Sequence, residues 1–325
     1  MKPLAGTLVA LVGLLVLWAP EVRAQDEGHV FYYPKPTVRT AYKPPMKPVT
    51  RLQDLKAKNS GRASWRELVI DDGNSVAFMV QDPPGTTIER KLYPDSAVWW
   101  AVLEGRIRFE IEKADRTFEV VDASKGSFVF VPERMLHSLD VVGSEPAIRY
   151  EVTAGPRSTP VYEKRPARSM PGVEYLPVRV SSGPNPLDVR NEGMPDGKPW
   201  PHHLNVYELQ KQNQDKPRGF TQEAMRANRA RGNFICGYAG AGQPAPAPGR
   251  GHFHADVAES WIVMLGELRW VFEGDEQNAV IARRGDIIYG PPNTFHSPQF
   301  WGKEGLNCRL TNSTMPSLNH FYDVP

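Results

Sequence analysis

The chain has 325 residues, enough for two domains of ordinary size or one large one. Charged residues make up 23% and hydrophobic residues 40%, a globular composition and not a disordered one. With 39 Lys and Arg against 37 Asp and Glu the net charge is +2, so no basic excess exists to meet a nucleic-acid backbone.

Glycine (27) and proline (31) together form about 18% of the chain, against a usual ~12%. That excess predicts many short strands joined by turns, not a helical bundle. At the start, Lys2 supplies a positive charge, Leu4 to Trp18 is almost wholly apolar, and Pro20 breaks the run before Val22, Arg23 and Ala24. Residues 1–24 read as a secretory signal peptide cut after Ala24, which predicts a periplasmic or secreted protein. Leu4 to Trp18 is short for a bilayer span and no later stretch is apolar enough, so no stable membrane insertion is expected after cleavage.

Residues 25–60 are polar and proline-rich and are predicted to form an extended arm. Residues 61–155 make a first block of strands. Residues 156–215 are again proline-rich, a linker or a strap across a neighbouring domain. Residues 216–325 make a second block. Before its motifs, Thr221 as N-cap, Glu223 in the first turn, Arg226, Arg229 and Arg231 further on and Gly232 at the end predict a short helix.

The two blocks repeat one pattern. Val98 to Phe109 matches Glu259 to Trp270, with Gly105 aligned to Gly266 at an offset of 161. Gly126, Pro132 and His137 match Gly285, Pro291 and His296 at an offset of 159. Two copies at a nearly fixed offset predict a duplicated domain.

The second block carries H-x-H-x4-E-x6-G, then G-x5-P-x-N-x2-H, placing His252, His254, Glu259 and His296 in one pattern. On a strand His252 and His254 share a face, and a turn returns Glu259 beside them. Three imidazoles and a carboxylate suit a divalent transition metal, with positions left open for catalysis.

These motifs resemble the cupin superfamily, and the duplication resembles a bicupin: an all-β chain of two jelly-roll barrels. The match departs at Pro246 and Asn293, where the family has glycine. Asn tolerates the left-handed turn conformation, so the turn at Asn293 is expected to survive. In the first block the equivalent positions are Lys91, Tyr93 and Val98, with only His137 retained, so that copy is expected to have lost its metal.

The resemblance implies one divalent transition metal per chain, Fe or Mn before Cu, Ni or Zn. It also implies a dioxygenase or related oxidoreductase acting on a small organic molecule, with Glu259 as metal ligand and proton acceptor. A metal-holding or small-molecule-binding protein without turnover, or an isomerase or lyase, would use the same site, and a homo-oligomer is open. Strand alternation sends Trp261 and Phe300 inward as substrate-pocket residues, with Tyr289 also a candidate; Trp261 reads equally as barrel core. Cys236 and Cys308 lie on strands that neighbour each other in a jelly roll, either bridged or as two buried thiols. His202 and His203, in the linker, read as surface polar residues before any second site.

Overall fold

The computed structural model describes residues 31–32, 34, 37–38, 40–155, 159–164, 171–172, 201–227, 230–240, 251–255, 257–303, 305–313 and 321–322. The signal peptide, most of the proline-rich segment before residue 201, and Pro246 lie outside them. Two β-barrels dominate. In the N-terminal one a six-stranded sheet runs His203–Asn205, Ser127–Val131, Val98–Glu104, Ala147–Ala154, Ser75–Asp82, Trp65–Asp71. Facing it is a five-stranded sheet: Val161–Tyr162, Thr87–Leu92, His137–Val142, Arg106–Glu112, Phe118–Ser124. The C-terminal barrel repeats the plan. Its large sheet runs Phe220–Ala227, Ala230–Gly237, Asn307–Ser313, Glu259–Leu265, Ile287–Gly290, Val49–Thr50, opposite Val280–Arg283, Glu267–Phe272, His296–Phe300.

Each large sheet is buried on both faces, which is why Val98–Glu104 and Glu259–Leu265 are almost continuously apolar instead of alternating. Val98, Trp100 and Val102 fill the N-terminal barrel, and Trp261 and Val263 fill the C-terminal one. The alternate residues, Trp99, Ala101 and Leu103 with Ile262 and Met264, meet in one core between the barrels. There Phe128 packs edge-on to Phe234, ring centroids 6.0 Å apart.

Two sequence expectations are corrected. The helix predicted from Thr221 to Gly232 is an antiparallel pair of strands, Phe220–Ala227 and Ala230–Gly237, with Arg226 opposite Arg231. Burial decides it: Phe220, Ala224, Met225, Ala227, Phe234 and Cys236 all enter the inter-barrel core. The charges that suit a helix dipole instead pair locally, Glu223 Oε1 accepting from Arg226 Nε at 2.8 Å and lying 3.3 Å from Arg231 Nε. The short helix before the second barrel lies earlier, at Val206–Gln212, where the Asn205 side chain accepts from Tyr207 N.

The arm at 25–60 is not extended throughout, because Leu52–Lys58 is a helix. For 156–215, read as a linker or a strap, the described residues include a strand laid on a barrel. His203–Asn205 pairs with Ser127–Val131 of the N-terminal barrel, and Val49–Thr50 pairs with Ile287 and Ile288 of the C-terminal one. Each barrel is thus edged by the strand that precedes the other, and each such strand runs on into a short helix. Among the described residues no helix is long and apolar enough to cross a membrane.

Cys236 and Cys308 face each other on adjacent strands and form a disulfide. The bridge closes a separation of 72 residues, worth roughly 4 kcal/mol on the chain-entropy account.

Candidate metal centre in the C-terminal barrel

His252 is held by two backbone bonds to His296: His252 N donates to His296 O at 2.9 Å, and His296 N donates to His252 O at 2.8 Å. That pairing fixes the two residues opposite each other, and Gly251 makes it possible. Its φ is +71°, and a Cβ there would stand 2.6 Å from His296 O. His254 follows, its carbonyl accepting from Asn293 N at 2.6 Å. Asn293 has φ 62°, the left-handed turn expected of it; Arg134 holds the same place in the first copy at φ 65°. Glu259 and His296 are each the first residue of a strand.

The four side chains converge, with their ligating atoms all within 4.8 Å of one another. Glu259 Oε2 lies 3.0 Å from His254 Nε2, 3.4 Å from His296 Nε2 and 4.0 Å from His252 Nε2. His254, Glu259 and His296 are buried and His252 is half-buried, so the site meets solvent on the His252 side. His296 Nδ1 donates to Thr294 O at 2.9 Å, which leaves Nε2 as the lone-pair nitrogen facing the others. It stands 3.2 Å from His252 Nε2. Two imidazole nitrogens that close need a proton or a cation between them, so the donor set fits a metal ion.

Electrostatics agree. Burial alone would raise the Glu259 carboxyl, but its histidine neighbours, His254 first and then His296, hold it well below the usual carboxylate range. Burial pushes His296 down against the pull of Glu259, favouring a neutral ring. An ionised carboxylate beside a neutral imidazole is the state a metal ion binds.

Of the pocket candidates, Trp261 lies edge-on to His296, centroids 4.9 Å apart, and also packs on Trp270. It is barrel core that borders the histidine cluster. Phe300 is inside the barrel with it. Tyr289 is not: its ring joins the inter-barrel core beside Tyr42, and its hydroxyl donates to Asp72 Oδ2 at 3.2 Å. The next residue, Gly290, is the one that abuts Trp261 and His296.

Arg309 is the residue missed in the sequence. Cys308 and Leu310 face the inter-barrel core, so Arg309 faces into the barrel, with its guanidinium 5.7 Å from the Phe300 ring centre. Burial lowers its pKa to about 10, opposed by the Glu259 charge, so it stays cationic at neutral pH. Alternation about Cys308 was the signal that could have found it.

In the N-terminal barrel Lys91 stands opposite His137, as His252 stands opposite His296. Val98 begins the strand equivalent to that of Glu259 and cannot ligate. Among the described residues, His252, His254, Glu259 and His296 form the group of metal-capable side chains. His202 and His203 do not join it. His202 Nδ1 donates to Phe130 O at 2.9 Å, and His203 Nε2 lies 2.9 Å from Ser127 Oγ, both serving the exchanged strand.

No protein-family model matches the sequence, and no curated protein does. Among solved structures the chain is similar to a single-site variant of Bacillus subtilis oxalate decarboxylase, at 15% identity over 88% of this chain and 81% of that one, TM-score 0.51. It is similar too to Lactobacillus farciminis oxalate decarboxylase in its formate complex, at 14% identity over 89% and 91%, TM-score 0.50. At such identities the likeness speaks for the fold alone, and that fold is two cupin jelly rolls in one chain.

Proposed function

We propose that the C-terminal barrel is the active site of an exported, metal-dependent enzyme acting on a small organic acid, an oxygen-using oxidoreductase of the dioxygenase kind. The observation that carries this is the convergence of three imidazoles and one carboxylate within 4.8 Å, on a barrel interior that also holds Arg309. His252, His254, His296 and Glu259 would hold one divalent transition metal, Fe or Mn before Cu, Ni or Zn. Such an ion supplies Lewis acidity and, if Fe or Mn, electron exchange with O2.

The chain's own residues do the rest. Arg309 offers a desolvated positive charge for an acid group. Trp261 and Phe300 keep water from the barrel interior. Glu259 is ionised while its histidine partners hold it; an oxygen released from them would return toward ordinary carboxylate basicity and take a proton there. Lys91, Tyr93 and Val98 leave the N-terminal barrel without a metal on this reading.

A second reading, a decarboxylating lyase on the same site, draws support from Arg309 and from the oxalate decarboxylases among the structural neighbours. Elemental analysis of native protein should find one metal per chain, lost in His254→Ala; two per chain would overturn the assignment to one barrel. Turnover of small carboxylic acids, oxalate included, should require O2, and Glu259→Gln should lower it by ~10²–10⁴ while the metal stays. Product formed without O2 selects the lyase. A ligand bound and never consumed removes the enzyme reading in favour of a binding module. Amino-terminal sequencing of protein from its native compartment should begin at Gln25.

A further inference from the structure

A cavity of about 490 Å³ opens in the N-terminal barrel, a size that suits a small molecule. It lies between the strands Trp65–Asp71, Ser75–Asp82 and Ala147–Ala154 on one side and Thr87–Leu92 and Val161–Tyr162 on the other. Arg66, Phe78, Lys91, Tyr93, Thr153 and Tyr162 are among its walls. Lys91 and Tyr93 occupy the sequence places of His252 and His254. The cavity is therefore what this barrel has where the other has its histidines.

The charges around it do not cancel. Glu151, buried, accepts from Arg66 Nη2 at 3.0 Å, Trp100 Nε1 at 3.0 Å and Arg149 Nε at 3.4 Å. Arg149 is paired as well with Asp82 at 2.7 Å. Arg66, Arg149 and Lys91 thus face Glu151 and Asp82, and one positive charge remains. That charge is Lys91. Its ammonium lies 3.4 Å from the Tyr93 hydroxyl and 5.3 Å from the centre of that ring, with no carboxylate in ion-pair range among the described residues. Burial pushes its pKa down, and Arg66 and Arg149 push the same way against the pull of Glu151. Burial raises the Tyr93 phenol, which keeps it protonated and able to donate.

We propose that this cavity is a metal-free binding site for a small organic monocarboxylate, anchored by its carboxylate on Lys91 with its carbon body against Phe78 and Tyr162. A single negative charge completes the local balance; a dianion would overshoot it. The aromatic walls select against a fully hydrated inorganic ion. The assignment is independent of any chemistry at His252, His254, Glu259 and His296.

Benzoate is the probe, titrated calorimetrically into the full chain carrying His254→Ala, so that the C-terminal barrel offers no metal. One benzoate should bind per chain, and benzamide, its neutral counterpart, at least ten-fold more weakly. Lys91→Met in the same background should cost about ten- to a hundred-fold in benzoate affinity, the range of a lost charge-assisted bond. The same substitution removes an uncompensated charge, so it should raise the melting temperature of the ligand-free protein. A structural lysine would do the reverse. No benzoate binding at millimolar concentration, undiminished binding by Lys91→Met, or equal competition by chloride would each overturn the proposal.

Discussion

His137 and His296 are one residue twice, with opposite surroundings. Both rings donate Nδ1 to the carbonyl two residues earlier, Met135 O at 3.1 Å and Thr294 O at 2.9 Å, so both turn Nε2 inward. For His296 that nitrogen meets Glu259 and His252. For His137 it is buried without a hydrogen-bond partner among the described residues, the ring wedged between Tyr93 and Trp100. Burial, helped by the Lys91 charge, lowers its pKa to about 4 from 6.5. The unfolded chain takes up that proton first as pH falls, so the stability linked to His137 is whole above pH 6.5 and is lost between 6.5 and about 4. The loss is at most about 3 kcal/mol. Denaturant melts at pH 7 and pH 4.5 should therefore differ less for His137→Phe than for the parent chain. Equal pH dependence in the two would contradict a buried neutral histidine.

At the scale of elements, the motif glycines Gly126 and Gly285 have a packing reason. At φ +87° and +90° they are left-handed, and a Cβ on either would strike the helix of an exchanged element: Tyr207 at 2.6 Å for Gly126, Leu52 at 2.5 Å for Gly285. Leu52 is 2% exposed, so Leu52→Ala should cost ~2–5 kcal/mol. Gly285→Ala should cost less in the Leu52→Ala background than alone, because the 2.5 Å clash with the Leu52 side-chain end is gone and only the Cβ at 3.2 Å and the backbone strain remain. Strict additivity in a denaturant double-mutant cycle would mean the two do not touch. The convergence of His252, His254, Glu259 and His296 was legible in the sequence for a related reason: H-x-H, E and H sit at backbone positions fixed by pairing, and Asn293 could keep its turn without glycine. The exchanged strands were not legible. Val49–Thr50 and His203–Asn205 are too short to carry a period, and their partners are chosen by surfaces far away in the chain. The misplaced helix failed differently. Glu223, Arg226 and Arg231 suit a helix dipole and a strand pair equally, and burial of Phe220 and Phe234 broke the tie. Arg309 was hidden because a charge inside a strand gives no pattern until its neighbours are known to face the other way.

The whole molecule is held by one core laid between two barrels. Trp99, Phe128 and Tyr150 from one sheet meet Phe234, Met264 and Leu310 from the other. Polar ties reinforce the seam: Arg284 Nη1 donates to Leu103 O at 2.8 Å, and Lys56 pairs with Glu104 at 3.0 Å. Neither large sheet keeps an apolar outer face covered without the other. Calorimetry of the full chain should show a single unfolding transition with equal calorimetric and van't Hoff enthalpies. Two resolved transitions would mean that the barrels are independent.

The exchange of edge strands also imposes a timetable on synthesis. Ser127–Val131 is made well before His203–Asn205, the strand that covers its edge. At ~5–20 residues per second the first barrel waits roughly 4–15 s with that edge open. Val49–Thr50 waits longer, for Ile287 and Ile288, about 12–47 s at the same rate. Until then both carry unpaired backbone groups able to template the wrong neighbour. The nascent first half is thus an unfinished object: residues 203–205 close one edge, and only the last third of the chain supplies the partner of the other.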